Sequence, residues 1–179
     1  MRIYTIILTM MLIPVFGFAS CENAADSIPH KNLGIKIVPD TTIEKILGDT
    51  IVNLLFSPKK VTVYMLANRE PDKEKHETEV YSKYVRDSLL TVLKQDIYSV
   101  LQFNLLADSA NYKTDFDRVK SPYRPLLEFE FSIKKDSASV LVSFSDFSWA
   151  VIYHGREICR FNYENRHLMR RYKQLILNK

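Results

Sequence analysis

Residues 126–134, LLEFEFSIK, alternate without a break, and this pattern constrains the fold most. Leu127, Phe129, Phe131 and Ile133 point one way, Glu128, Glu130 and Ser132 the other. Only an extended strand with one buried face uses side chains at a period of two. SVLVSFS, a few residues on, repeats the habit with Val140, Val142 and Phe144 inward. FSWAVIYHGREICRFNY then reads as a hairpin turning at His154-Gly155, where glycine accepts positive φ. Such closely spaced strands imply an antiparallel sheet. Within the hairpin, Ala150, Ile152, Cys159, Phe161 and Tyr163 share the more apolar side and are the expected core face. Trp149, Val151, Tyr153, Ile158, Arg160 and Asn162 fall opposite. The turn near Asp146 sets the alignment of Trp149 with Phe144, and an even-length loop would bring Trp149 to the core side instead.

Helical patterns surround these strands. Ile43, Ile46, Leu47, Ile51, Leu54 and Leu55 form a helical stripe. Thr41 and Glu44 make a capping-box pattern before it, and Ser57-Pro58 closes it. Val61 to Leu66 alternates and is β-branched, so it reads as a strand. REPDKEKHETE is a charged connector. The longest helix is expected from Glu79 to about Leu101, with Val85, Leu89, Val92, Leu93, Ile97 and Val100 as its apolar face. Asn104 to Pro125 reads as a long irregular segment, of the kind that often carries function. NRHLMRRYKQLILNK is a basic amphipathic helix. The expected class is therefore α+β, an antiparallel sheet of about four to five strands packed with about three helices.

The chain is 179 residues long, enough for one domain. Its first residues do not belong to that domain. Ile3 to Phe18 is an uncharged run behind Arg2, shorter than the roughly 20 residues of a membrane-spanning helix, and interrupted by Pro14. Small residues Ala19 and Ser20 follow, as signal cleavage requires. Phe18-Ala19-Ser20-Cys21 resembles a bacterial lipobox, with Phe18 where that family usually has Leu. The resemblance implies cleavage before Cys21 and diacylglycerylation of its thiol, and two acyl chains suffice for stable anchoring. The expected organisation is a signal peptide over 1–20, a flexible tether over 21–38 and one α+β domain over 39–179. The later segments SPYRPLLEFEF to SFSDFSWAVIYHGREICRFNY are similar to those of small Bacteroidetes-type envelope lipoproteins. Surface-directed members tend to carry a dense acidic run after the cysteine. Here only Glu22 and Asp26 occur, which favours the periplasmic face of the outer membrane.

Candidate chemistry is sparse. Cys159 with nearby His154 could be a nucleophile and base, but Cys159 on an apolar face reads better as a structural thiol. Glu128 and Glu130 could recapitulate a glycosidase pair, though a solvated strand face explains them more simply. His30, His76, His154 and His167 lack metal-ligand spacing, and Ser143 and Ser145 lack a nucleophile elbow. No cofactor or metal is expected. A net charge of +4 is too small to suggest nucleic acid. The expected binding patch combines Trp149, Tyr153 and Arg160 with the cations Arg166, Arg170, Arg171 and Lys173. Trp, Tyr and Arg are typical interface anchors; the competing reading packs them beneath a helix, with Arg160 on Trp149. The expected function is a lipid-anchored, non-catalytic protein-binding module, held to the membrane through Cys21. The alternatives are an immunity-type inhibitor of a periplasmic toxin, an envelope hydrolase using Cys159 or Glu128/Glu130, and a structural subunit of a larger envelope complex.

Overall fold

The computed structural model describes residues 37–67, 84–114 and 123–178. These belong to one compact unit, α+β in class, with a six-stranded antiparallel sheet and four α-helices. The class agrees with expectation; the sheet has more strands and the unit more helices. The elements are α1 (Thr41–Leu47), α2 (Asp49–Phe56), β1 (Lys60–Leu66), β2 (Arg86–Leu93), α3 (Gln95–Leu101), β3 (Pro125–Ile133), β4 (Asp136–Ser143), β5 (Ser148–Tyr153), β6 (Arg156–Asn162) and α4 (Arg166–Leu177). Strand order is β2-β1-β3-β4-β5-β6. The signal segment, Cys21, His30, His76, the charged connector and the tether up to residue 36 lie outside the described residues.

The first helical stripe is two helices rather than one. Gly48 (φ 76°, ψ 155°) ends α1 and opens α2. Few residues other than glycine adopt that backbone. The break keeps Ile43, Leu47, Ile51, Leu54 and Leu55 all buried while the chain changes direction. The N-cap is Asp40, one residue before the expected Thr41. Its Oδ1 accepts from the amides of Thr42 (2.7 Å) and Ile43 (3.1 Å), satisfying two of the orphan donors of the first turn.

The expected helix from Glu79 is corrected over its described part. Residues 86–93 form edge strand β2, and the helix begins only at Gln95. RDSLLTVL has apolar residues at both helical and strand spacings, so its period is ambiguous. Backbone pairing with β1 decides it (Val61 with Leu93, Thr62 with Val92, Tyr64 with Leu89). Tertiary pairing overrides local helix propensity here.

All four helices feed one core on one face of the sheet. Its sheet side comprises Val61 and Val63, Leu127, Phe129 and Phe131, Ala138, Val140 and Val142, Trp149 and Val151, and Phe161. Strands β3 and β4 face as their alternation predicts. The expected core face of β5 is corrected: Trp149 and Val151 are its helix-side residues, not Ala150 and Ile152. An even number of residues separates Val142 from its partner Trp149, so Trp149 takes the core face of Val142. In β6 a bulge at Ile158 lets Cys159 pair with Val151 while Glu157 pairs with Ile152. The extra residue shifts side-chain parity, so Cys159, Phe161 and Tyr163 stay on the helix side together with Trp149. The hairpin turn falls at His154-Gly155 as expected, with φ 50° and 75°.

The start of the expected irregular segment is a packed plug. Past α3 the helix widens to a π-turn over Gln102–Leu106, followed by a 3₁₀ turn over Ser109–Asn111. Its polar groups are all turned to structural use. Buried Gln102 donates from Nε2 to Leu55 O (2.7 Å), capping α2. Asn111 Nδ2 donates to the carbonyls of Asn104 and Leu105, and Tyr112 Oη to Leu106 O at 2.7 Å. Carbonyls that a helix end leaves orphaned are thus met by side chains, from a distant element at α2 and from the following turn at the π-turn.

Candidate functional site

The helix-free face of the sheet gathers most of the described ionic chemistry. Arg86 on β2 reaches across β1 to β3. Its Nε and Nη2 clasp both oxygens of Glu128 (2.9 and 2.7 Å), and Nη2 also meets Glu130 Oε1 (2.8 Å). Ser139 Oγ donates to Glu128 Oε1 (2.7 Å), and Tyr64 Oη to Glu130 Oε2 (3.3 Å). The guanidinium lies 3.8 Å above the Tyr64 ring. The Glu128 side chain is 10% exposed, that of Arg86 39%. The alternation of β3 places both carboxylates on one face, and the β1 register places Arg86 over them. The two glutamates are therefore a clamp on one cation, each carboxylate already engaged, rather than an acid and a base facing a substrate gap.

Around this clamp lies a depression of about 470 Å³, lined in part by Tyr84, Asp136, Ile152 and His154. His154 Nε2 is 3.4 Å from Asp136 Oδ1, and its ring stacks on Tyr153 at 4.0 Å. Tyr153 donates to the other oxygen of Asp136 (3.2 Å). Farther along the same face, Arg160 lies 3.9 Å over Tyr123 and is paired bidentately with Glu157 (3.0 and 2.7 Å). Tyr84 and Tyr123 meet edge to face and cover Leu66, Leu141 and Ile152.

Cys159 and His154 do not form a dyad. Cys159 packs with the helix-side core, whereas His154 is exposed in the turn and faces Asp136. Burial pushes the Cys159 thiol up to about 12, the reverse of an activated nucleophile. Burial shifts the phenols of Tyr112, Tyr163 and Tyr172 upward as well. Groups whose pKa is higher folded than unfolded hold their protons longer in the native state, so stability falls as pH rises past the unfolded value. In a Cys21→Ala background, urea unfolding is expected to show a stability plateau up to about pH 8 and a decline toward pH 11. At pH 8, alkylation of Cys159 should run roughly a thousandfold slower in the native protein than in urea. Equal rates would mean an exposed, ordinary thiol.

The expected binding patch is divided by the fold. Trp149 is 0% exposed, and its indole donates to Asn111 O (2.9 Å). Arg160, on the opposite face, stacks on Tyr123 and not on Trp149. Tyr153 belongs to the His154 turn. Arg166 and Arg170 lie 4.4 and 5.3 Å over Phe147, and Lys173 lies 5.2 Å over Phe144. Arg171 points away from these, as its helical position requires, into a groove of about 180 Å³ between α3, the π-turn and α4.

That groove is the feature the sequence left unnoticed. Val100, Asn104, Leu168, Met169, Tyr172 and Leu175 line it with Arg171, and Phe103 nearby is 67% exposed. The apolar stripe of α4 is wider than the core it covers. Met169, Tyr172 and Ile176 are buried, while Leu168 and Leu175 remain partly exposed. α4 carries no Asp or Glu, and its charged side chains Arg166, Arg170, Arg171 and Lys173 are all basic. The seven-residue spacing of Leu168 and Leu175 was the available signal, but only the packing shows which leucines the core does not use.

Among the described residues no helix is long and apolar enough to cross a membrane, and no three His, Cys, Asp or Glu side chains gather as metal ligands. No protein-family model, curated protein or solved structure matches the chain.

Proposed function

We propose that the protein is a lipid-anchored, non-catalytic protein-binding module of the cell envelope, held through Cys21 at the periplasmic face of the outer membrane. The groove beside α4 is the observation that carries the binding half of this reading. Its apolar wall and floor (Val100, Leu168, Leu175) and its cation Arg171 suit an acidic amphipathic segment of a protein partner, by burial of apolar side chains and charge pairing at the rim. A toxin as that partner would make the module an immunity-type inhibitor. The hydrolase alternative draws no support from the geometry, because Arg86 engages both candidate carboxylates and Cys159 is held protonated. The anchoring half rests on the lipobox-like Phe18-Ala19-Ser20-Cys21.

Two measurements test the halves separately. Labelled palmitate fed to cells should enter the wild-type chain and not Cys21→Ala; equal label in both would remove the anchor. For the groove, the full-length protein is cross-linked in its own envelope and captured beside an Arg171→Glu/Leu175→Asp variant. A protein recovered with the wild type should fall at least about tenfold in the variant, the loss expected when a central charge and an apolar anchor are removed together. Unchanged recovery, or none with either chain, would overturn the binding reading.

A further inference from the structure

We propose that the flank of α4 formed by Arg166, Arg170 and Lys173 is a docking surface for an anionic phospholipid bilayer, that of the membrane to which Cys21 holds the chain. The proposal rests on the anchored reading above and not on the groove. The three residues recur at spacings of four and three along α4, so they form one stripe of the helix. Leu168, Arg171 and Leu175 form a separate stripe, on the groove side. A protein in the groove and a bilayer at the flank therefore meet different sides of α4.

The charges of α4 run against its own dipole. Its first turn holds Arg166 and no acid, and its last turn holds no basic residue. Cations stabilise a helix near its C-terminus and oppose it near the N-terminus. Pairing within the chain does not account for them either. Arg166, Arg170 and Lys173 make no ion pair among the described residues, and Glu164, just ahead of the helix, is paired with Lys113 at 3.1 Å. Asp146, the carboxylate of the neighbouring β4–β5 turn, is buried and bonded to Ser148. The stripe is thus positive charge that no carboxylate of the described residues neutralises.

Aromatic rings hold the stripe in place. Arg166 and Arg170 lie 4.4 and 5.3 Å over Phe147, and Lys173 lies 5.2 Å over Phe144. Phe147 has φ 57°, a left-handed backbone that is uncommon and costly for a bulky residue. What the turn secures is a ring under two guanidinium groups, braced edge-on by Tyr163 at 6.1 Å. A guanidinium stacked by its face keeps its edge N–H donors for phosphate oxygens. A depression of about 380 Å³, lined in part by Lys173, Phe144, Ser145, Pro125 and Leu126, leaves room for a headgroup. A bilayer suits this stripe better than a protein does. Protein hot spots centre on a side chain that becomes fully desolvated in a partner's pocket, whereas both rings here are half-buried beneath cations. An anionic bilayer gains from each cation at its surface, and acyl chains joined to a basic patch make a two-signal attachment.

The test uses the full-length chain purified from its own membranes and reconstituted in vesicles of phosphatidylcholine or of phosphatidylglycerol. An environment-sensitive fluorophore is carried on Ser145→Cys, an exposed position beside the stripe, and the chain without that substitution, treated alike, is the blank. A blue-shifted signal is expected with phosphatidylglycerol and not with phosphatidylcholine, and salt should reverse it. Arg166→Gln/Arg170→Gln should lower the ratio of docked to undocked chain about twenty-five-fold, about fivefold for each cation. Lys59→Gln/Lys60→Gln removes the same charge from two exposed lysines at the far end of β3 from this turn, where Lys60 pairs with Ser132, and should change nothing. Far-ultraviolet circular dichroism checks that both variants fold. Equal signals in the two lipids, an undiminished signal in the arginine variant, or an equal loss in the lysine variant would overturn the proposal. The anchor is read separately: a chain that does not float with phosphatidylcholine vesicles lacks it, and the phosphatidylglycerol arm still tests the stripe.

Discussion

Trp149→Ala is expected to lower the stability of the domain by about 3–5 kcal/mol, the range for deleting a large buried aromatic side chain. A domain of this size typically holds only about 5–15 kcal/mol in all, so the variant should melt far below the wild type or fail to accumulate. The position explains the size of the effect. Trp149 is fully buried where β5, β6 and the plug after the π-turn converge. Tyr112 meets its ring edge-on at 5.1 Å, and Phe161 lies tilted at 5.3 Å. Its indole N–H also satisfies Asn111 O. Asn111 in turn holds the carbonyls of Asn104 and Leu105 and receives the amide of Glu164 ahead of α4. Loss of the ring therefore opens a cavity and unseats a residue that ties three elements together. Trp149→Phe separates the two contributions. It keeps most of the volume but leaves a buried acceptor without its donor, at a cost of about 1–3 kcal/mol. Urea unfolding of both variants would check this, and a Trp149→Ala loss under about 1 kcal/mol would be incompatible with the packing described.

Arg86→Met is expected to cost about 2–3 kcal/mol. Removing one partner of a buried ion pair costs more than the pair contributes, because the other charge is left desolvated. Among the described residues Glu128 would keep the Ser139 hydroxyl and Glu130 the Tyr64 hydroxyl, with the guanidinium that joins the two carboxylates gone. The solvent exposure of Arg86 puts the loss below the range for fully buried pairs. The Arg86→Met/Glu128→Leu double variant should recover most of the stability, since apolar replacements of similar volume remove the desolvation penalty together with the attraction. A double-mutant cycle in urea measures the coupling. If the two changes were simply additive, the clamp would be a surface contact without structural weight. The outcome also bears on function, because carboxylates that Arg86 must hold for stability are not free to face a substrate.

Much of the architecture was legible in the chain, and for identifiable reasons. β3 and β4 follow from strict alternation, the His154-Gly155 turn from one glycine with the right neighbours, and α4 from its amphipathic stripe. The places that misled are those where local pattern is degenerate. RDSLLTVL suits a helix and a strand about equally, and its pairing with β1 settles the matter. Two short elements around Gly48 read as one helix, because both turn the same residues inward. At Trp149, parity depended on loop length, and in β6 the faces of Cys159 and Phe161 depended on the bulge at Ile158, which has no fixed sequence signature.

The candidate sites divide in the same way. Glu128 and Glu130 on one face of β3, a basic α4 and an apolar setting for Cys159 were set by sequence alone, because each depends on spacing within one element. Arg86 as the mate of both carboxylates was decided only by the tertiary structure. So were the separation of Trp149 from Arg160, and the Leu168 and Leu175 side chains that the core leaves over. Each of these is a relation between elements distant along the chain. Register, parity and the width of a packed face come from the whole sheet and its helices satisfying burial and hydrogen bonding together, and no local stretch of residues encodes them.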